Sequence, residues 1–254
     1  SVVRRQRQMC IRDSNIIKEA LSSKVITPGV TTTDDVVWWM REKVSRLGLK
    51  TWFHPTVDVQ RSGQSDLYGF DGESKFDIIN SGDLVHCDFG ITYLTLNTDC
   101  QELAYVLRPN ETEAPEYLKK ALKKGNDVQD DLTSNFKKGR TGNTTLKMAI
   151  QASKAKGLRP QIYTHPLGLY GHSAGTTYGM WDAQDGVPGS GDHPLHENTV
   201  YAIELNAKVY IKEWDKDIRV MLEEAGYFGP NGFRYVNGRQ TKFLLIGNKN
   251  KYLD

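Results

Sequence analysis

The sequence predicts an α+β domain built from two similar halves. Two helical patterns, at 16–21 and 36–47, are followed by strand-like runs that continue to residue 107. Two further helical patterns, at 118–136 and 146–153, are again followed by strand-like runs. This doubled order predicts a curved antiparallel sheet flanked by helices, with internal pseudo-two-fold symmetry.

Helix boundaries are marked by hydroxyl residues and glycines. The first regular helix is expected to end before Pro28-Gly29, and the second to begin beside Thr31–Thr33 and end at Gly48. The third and fourth helices are expected to stop near Gly139 and Gly157.

The strand-like runs share apolar and β-branched residues bounded by turn residues. They lie at 52–59, 83–93, 97–107, 161–164, 200–209, 218–222 and 243–246. Residues 175–198 are rich in Gly, Pro and Asp, and a loop of this length in a compact domain is usually functional or mobile. Its Gly-x-Gly at 189–191 lacks the strand and the lysine of a phosphate-binding loop.

Residues 1–14, SVVRRQRQMCIRDS, show no helical or strand period. They resemble a translated sequencing-adaptor read, so we expect a non-native segment followed by a single catalytic domain at 15–254. An ordinary basic N-terminal arm is the alternative. If residues 1–14 are non-native, the true N-terminus is missing. The compartment is therefore left open: cytoplasmic is the default and an exported protein is the alternative.

Composition excludes several classes of protein. The chain has 254 residues, 38% of them hydrophobic, and a formal charge of only +2. Since no run approaches 18 apolar residues and basic residues are scattered, neither a membrane span nor a nucleic-acid or membrane-surface partner is expected. Cys10, Cys87 and Cys100 have no zinc-site spacing and are too few for a disulfide scaffold.

Two aspartates, Asp88 and Asp99, lie in strand-like runs, where aspartate is disfavoured. A hairpin turning at 93–94 would place them opposite each other on one face, and such close carboxylates repel unless a cation lies between them. Tyr-Leu is a poor turn sequence, so a bulge could adjust this register. The same register would set Cys87 opposite Cys100, as packed thiols behind the metal side.

Two histidines and two glutamates complete the candidate residues. His165 and His172 frame glycines beside the long loop, and Glu204 and Glu223 interrupt apolar strand-like runs. A buried glutamate needs a partner. Taken singly, a structural histidine and ordinary salt bridges would explain each of them.

Taken in order, these motifs resemble the pita-bread metallopeptidases, which include methionine aminopeptidase, aminopeptidase P, prolidase and creatinase. The resemblance rests on Asp-Phe-Gly at 88–90, Asp99, His-x-x-Gly-x-x-x-His at 165–172, Glu204 and Glu223, and it covers nearly the whole chain after residue 15. Segments 52–55, 164–168 and 219–224 look most like bacterial Xaa-Pro aminopeptidase or prolidase-like proteins. The resemblance implies a pita-bread fold and hydrolysis of an N-terminal peptide bond with two divalent metal ions.

The resemblance also implies the ligands of these ions: Asp88, Asp99, His165, Glu204 and Glu223. Asp99 and Glu223 would bridge both ions, Asp88 would bind one, and His165 with Glu204 the other. This oxygen-rich set suits manganese best, with cobalt, ferrous iron or zinc as alternatives. An alternative alignment takes the ligand from 171–175, but only His165 reproduces the seven-residue interval between the two histidines.

Glu204 and His172 are the implied catalytic residues. The metal ions would lower the pKa of water and polarise the scissile carbonyl. Glu204 would take the proton of the attacking water and pass it to the leaving nitrogen, and His172 would donate a hydrogen bond to the substrate oxygen.

Two departures from the family pattern bear on substrate class. Relatives carry a histidine near residues 68–70, where this chain has none and where His54 is the nearest candidate. Glu102 stands where related peptidases often have arginine. A peptide with an Xaa-Pro bond is the first expectation, with the proline ring near Trp181, Tyr178 or Tyr170. Homodimerisation is left open.

Two other activities and one non-catalytic role compete with Xaa-Pro hydrolysis. A methionine aminopeptidase is the nearest rival. Creatinase-like chemistry without metal is weakened because this chain keeps the ligands that creatinases have lost. A non-catalytic peptide-binding module of the same fold is the alternative outside enzymes.

Overall fold

The computed structural model describes residues 2–64 and 77–247, and four α-helices lie within them. They are α1 (Val2–Ala20), α2 (Thr33–Arg46), α3 (Glu116–Thr133) and α4 (Gly142–Ala155). Thr32 caps α2 through a capping box with Asp35, which satisfies two of the free backbone N–H groups at the helix start. Three of the four predicted helices therefore have the expected positions.

Twelve strands lie in the same described residues. They are β1 (Lys50–Thr51), β2 (Thr56–Gln60), β3 (Leu84–Phe89), β4 (Ile91–Tyr93), β5 (Leu96–Asn97), β6 (Cys100–Val106), β7 (Pro160–Ile162), β8 (His165–Pro166), β9 (Thr199–Ile211), β10 (Lys216–Gly229), β11 (Gly232–Tyr235) and β12 (Leu244–Ile246). The main sheet has the order β2-β3-β6-β10-β9-β7, with β8 paired to β9, β11 to β10 and β12 to β6. All its pairings are antiparallel except that of β12 with β6.

One pair of helices covers each half of this sheet. Apolar side chains of α1 and α2 pack with Cys87 and Phe89 of β3. Those of α3 and α4 pack with Ile203 and Leu205 of β9. Successive side chains on a strand point to opposite faces, so the residues between these apolar positions face away from the helices. The predicted α+β fold in two similar halves is confirmed.

The hairpin that carries the two aspartates turns one residue later than predicted. Thr92 pairs with Asn97, so the turn residues are Leu94 and Thr95, with φ of 48° and 66°. Such a two-residue turn needs positive φ at both positions, which Gly, Asn and Asp adopt most readily. Leu and Thr give no such signal. The two strands keep equal residue counts, so no bulge adjusts the register.

The predicted strand register is consequently wrong by two residues. Asp88 lies opposite Gln101 rather than Asp99, and Cys87 does not lie opposite Cys100. A shift of two residues keeps every side chain on its own face of the sheet. Asp99 therefore still shares the face of Asp88, and both cysteines are buried free thiols, as expected.

Helix α1 is longer than predicted. It begins at Val2 instead of near residue 15, so the expectation that residues 1–14 have no helical structure is wrong. Gln6, Met9, Asp13 and Ile17 form one buried stripe at helical spacing, and the two polar members hide that stripe from a hydrophobicity pattern. That residues 1–14 are non-native stays a prediction.

The predicted loop at 175–198 is confirmed, with only a short 3₁₀ turn at Ser190–Asp192 among its residues. Strands β1, β8 and β11 lie outside the predicted runs. Across 2–64 and 77–247, no helix combines the length and apolarity needed to cross a membrane.

Candidate metal centre

Four polar residues form one row across the middle of the sheet. Asp88 of β3 pairs with Gln101 of β6, Gln101 pairs with Glu223 of β10, and Glu223 pairs with Glu204 of β9. Residues that pair across adjacent strands present their side chains on the same face. The row therefore brings together three carboxylates that are far apart in the sequence.

The other two proposed ligands flank this row. Asp99 immediately precedes β6, two residues from Gln101 and on the same face. His165 begins β8, and its Nε2 lies 3.6 Å from Asp99 Oδ2, 3.7 Å from Glu204 Oε2 and 3.6 Å from Glu223 Oε1. The structure thus brings all five residues to one place.

Potential ligand atoms gather in three overlapping groups among the described residues. Their members are Asp88, Asp99 and Glu223; His165, Glu204 and Glu223; and Asp99, His165 and His172. Glu223 belongs to the first two groups, which are otherwise separate. His172, the predicted catalytic histidine, is exposed at the rim, with its ring centroid 4.4 Å from that of His165.

Unpartnered atoms at the centre of the cluster test whether a cation fits. Asp88 Oδ1, His165 Nε2 and Glu223 Oε1 are buried and have no hydrogen-bond partner. His165 Nδ1 lies 3.1 Å from the carbonyl oxygen of Pro166, to which it can donate, leaving the lone pair of Nε2 directed at the carboxylates. Buried polar atoms without partners are costly. A carboxylate-rich site with one such imidazole fits divalent cations.

The electrostatics of the cluster agree with this fit. Burial, and then the charges of neighbouring carboxylates, raise the pKa values of Asp99, Glu204 and Glu223 well above their usual range. Burial also raises the pKa of Asp88 to about 6, although His86 opposes this. Burial lowers the pKa of His165, which favours the neutral ring that binds metals. Without a cation, the carboxylates are poorly stabilised as anions.

The chain matches a known protein family over most of its length. A sequence profile described as metallopeptidase family M24 matches residues 4–234. The chain belongs to metallopeptidase family M24. No curated protein matches the chain. The description of the family as metallopeptidases agrees with the cluster of carboxylates and imidazole.

Solved structures share the fold at low identity. The X-Pro aminopeptidase of Thermotoga maritima has a TM-score of 0.72 and 18% identity, over 97% of this chain and 63% of its own. The Xaa-Pro dipeptidase of Bacillus anthracis has a TM-score of 0.66 and 18% identity, over 96% and 62%. The methionine aminopeptidase of Thermotoga maritima has a TM-score of 0.63 and 19% identity, over 93% and 96%. This M24 chain therefore spans less than two thirds of the first two proteins.

Trp52 is a neighbour of the site that the sequence interpretation did not assign. Its indole ring centroid lies 5.5 Å from that of His172, edge to face. Its Nε1 donates to the carbonyl oxygen of Thr98, directly before Asp99. A Cβ added to Gly90 or Gly171 would lie 2.3 Å or 2.2 Å from the indole. Gly90 and Gly171 thus leave room for the indole of Trp52, which contacts both the residue before Asp99 and the ring of His172.

Gly171→Ala is expected to destabilise the protein by about 1–3 kcal/mol, because the rigid indole of Trp52 cannot bend away from the new methyl group. Activity should fall as well, since His172 is the next residue. Urea unfolding gives the free energy of unfolding. Gly168→Ala is the control, because its Cβ would meet only Ser173 Oγ at 3.6 Å. Equal stability of the Gly171 variant and wild type would contradict this packing.

Residues 68–70, where relatives carry a histidine, lie outside the described residues. Other predicted residues lie apart from the cluster. His54 contacts Trp38 and, at 2.7 Å, Arg41. Tyr178 is fully buried and stacks on Phe136 in the core, so the suggestion that it lines a proline slot is wrong.

Glu102 lies on the opposite face of β6 from Asp99 and Gln101. It lines a cavity of about 290 Å³ together with Asp13 and Glu224. Burial raises the pKa of Glu102 to about 7. Glu102 therefore lies behind the site, in a cavity that Asp99 also lines.

Proposed function

We propose that this M24 chain uses two divalent metal ions to hydrolyse the N-terminal peptide bond of a peptide. Manganese is the metal that we propose first. Asp88, Asp99, His165, Glu204 and Glu223 would hold the ions. The observation that carries the proposal is the pair of three-residue groups that share Glu223. A carboxylate shared by two ligand groups can hold two ions close together, as in a two-metal site.

The bound ions supply Lewis acidity, which polarises the scissile carbonyl and makes water a better acid. Glu204 is suited to hold and move a proton. Its side chain is 17% exposed, the largest fraction among the three carboxylates within 4 Å of His165 Nε2, and burial and Glu223 raise its pKa. It would accept the proton of the attacking water and deliver it to the leaving nitrogen.

His172 would bind the substrate oxygen. Its ring is exposed at the rim and is held between His165 and Trp52. A hydrogen bond from this ring to the carbonyl oxygen would strengthen as negative charge develops there.

The substrate we propose is a peptide with proline at its second position. The solved X-Pro aminopeptidase and Xaa-Pro dipeptidase support this reading, with TM-scores of 0.72 and 0.66. Removal of N-terminal methionine is the second candidate. It is favoured by a match that extends over 96% of the methionine aminopeptidase chain.

One assay tests the function and separates these substrates. The purified chain is stripped with a chelator, resupplied with Mn²⁺ or Co²⁺, and offered Xaa-Pro dipeptides, longer Xaa-Pro peptides and Met-Ala-Ser. We expect turnover of an Xaa-Pro substrate that is lost with the chelator and restored by metal. Turnover of Met-Ala-Ser alone would favour the second candidate. No metal retention and no turnover would leave a non-catalytic peptide-binding module.

A further inference from the structure

Gln101 contacts two of the proposed ligands at once. Its Nε2 donates to Glu204 Oε1 at 2.6 Å and to Glu223 Oε2 at 3.1 Å. Gln101 is buried and lies between Asp88 and Glu223 in the row of paired residues. The two N–H groups of one amide therefore hold two carboxylates that would otherwise repel each other.

The orientation of this amide follows from its partners. A carboxylate contact of this kind uses the amide N–H groups, so the NH₂ end of Gln101 faces the glutamates. Its Oε1 then faces His86, whose Nε2 lies 2.9 Å away. This oxygen only accepts hydrogen bonds, so His86 Nε2 carries a proton.

His86 is in turn held by Asp58. The two residues pair between β2 and β3, and Asp58 Oδ2 lies 3.4 Å from His86 Nδ1. Since a carboxylate only accepts, this contact is a hydrogen bond when Nδ1 carries a proton together with Nε2. His86 is 5% exposed, whereas the side chain of Asp58 is 42% exposed. A continuous chain of polar contacts thus runs from the surface, through Asp58, His86 and Gln101, to the two glutamates. Buried polar chains are tolerated when their members are satisfied, and they then fix one arrangement.

These contacts select which carboxylate oxygens remain for another ligand. Gln101 takes Glu204 Oε1 and Glu223 Oε2. The other oxygens, Glu204 Oε2 and Glu223 Oε1, lie 3.7 Å and 3.6 Å from His165 Nε2. Both therefore point to the place where the imidazole lone pair also points.

We propose that Gln101, anchored by His86 and Asp58, is a positioning residue that fixes the metal-facing oxygens of Glu204 and Glu223. This inference rests on the proposed two-metal function and adds to it the residue that orients Glu204 and Glu223 for the ions. Groups that orient metal ligands without touching the metal typically contribute about 10- to 100-fold to metal affinity.

The test is Mn²⁺ titration of the chelator-stripped protein by calorimetry, with melting curves before and after metal addition. Gln101→Met keeps the side-chain length but removes both donors. It should weaken Mn²⁺ binding by about 10- to 100-fold. Gln129→Met is the matched control, because Gln129 is a buried glutamine that donates to Glu224 on the opposite face of the sheet. It should bind Mn²⁺ with wild-type affinity.

His86→Leu touches neither glutamate and tests whether the effect passes through Gln101. It should also weaken Mn²⁺ binding, and the double variant with Gln101→Met should lose no more affinity than Gln101→Met alone. We call the contacts from Asp58 through His86 to Gln101 the relay. Additive losses of Mn²⁺ affinity would overturn the relay, because they indicate two independent structural defects.

The outcomes separate the relay from the function. Wild type that binds two Mn²⁺ ions while Gln101→Met binds them equally well overturns the relay and leaves the two-metal proposal intact. Wild type that binds no Mn²⁺ overturns both. If Gln101→Met does not fold, unchanged Mn²⁺ affinity in His86→Leu overturns the relay.

Discussion

Glu204→Gln is expected to lower kcat by about 10²–10⁴-fold, the usual contribution of a positioned acid-base group. The fold should survive, because glutamine keeps the Oε1 acceptor that receives the 2.6 Å hydrogen bond from Gln101. The amide cannot accept a proton from water and deliver it to the leaving nitrogen. Turnover of an Xaa-Pro peptide at saturating Mn²⁺, together with the circular dichroism spectrum, measures both effects.

Glu102→Gln is the control for this substitution. Glu102 is also a buried carboxyl with a raised pKa, of about 7, but it lies on the opposite face of β6. Its replacement should leave kcat near that of wild type. Near-wild-type turnover of the Glu204 variant would show that this residue has been given the wrong role.

Glu223→Gln is expected to abolish most of the stabilisation that Mn²⁺ gives. Glu223 is shared by two groups of candidate ligands, so its loss weakens both positions. A ligand present at one hundred times its Kd stabilises a protein by about 2.7 kcal/mol, and each kcal/mol raises the Tm by about 2–4 °C at this chain length. Wild type should gain this shift on addition of Mn²⁺, and the variant should not.

Without metal, the variant should no longer be the less stable of the two proteins. Metal-free Glu223→Gln is expected to melt no lower than metal-free wild type, because a neutral amide replaces one of four crowded acids whose pKa values are raised. Glu224→Gln is the control, since Glu224 points to the other face and bonds Gln129 and the backbone of Gln240. A normal Mn²⁺-induced Tm shift in the Glu223 variant would contradict its role as a shared ligand.

The doubled order of helices and strands was predictable because helical and strand periods are local. The site residues were predictable because acids in or beside apolar strands are conspicuous. Asp88, Glu204 and Glu223 interrupt such strands, and Asp99 directly precedes one. His165 was selected over His172 only by resemblance, and the structure places both near Asp99. Their roles as metal ligands stay predictions.

The strand register and the role of Gln101 depended on contacts that a linear sequence pattern does not encode. The turn at Leu94 and Thr95 uses residues that seldom adopt positive φ, so the strand register was hidden. Gln101 gains its importance only from the pairing of β6 with β10. His86 offered a signal that could have been used, because a histidine two residues before Asp88 in an apolar strand shares its face.

The junction of β6 and β10 gives the candidate centre a place in the energetics of the whole chain. In the part of the chain that the structure describes, Gln101 and Glu223 are the registered pair of this junction. Asp88 and Asp99 come from one side of it, and His165, Glu204 and Glu223 from the other. Neither side alone holds the full set of oxygen and nitrogen donors, so cation affinity and docking of the two halves are thermodynamically linked. A cation bound by donors from both sides would stabilise the docked halves and make them unfold together.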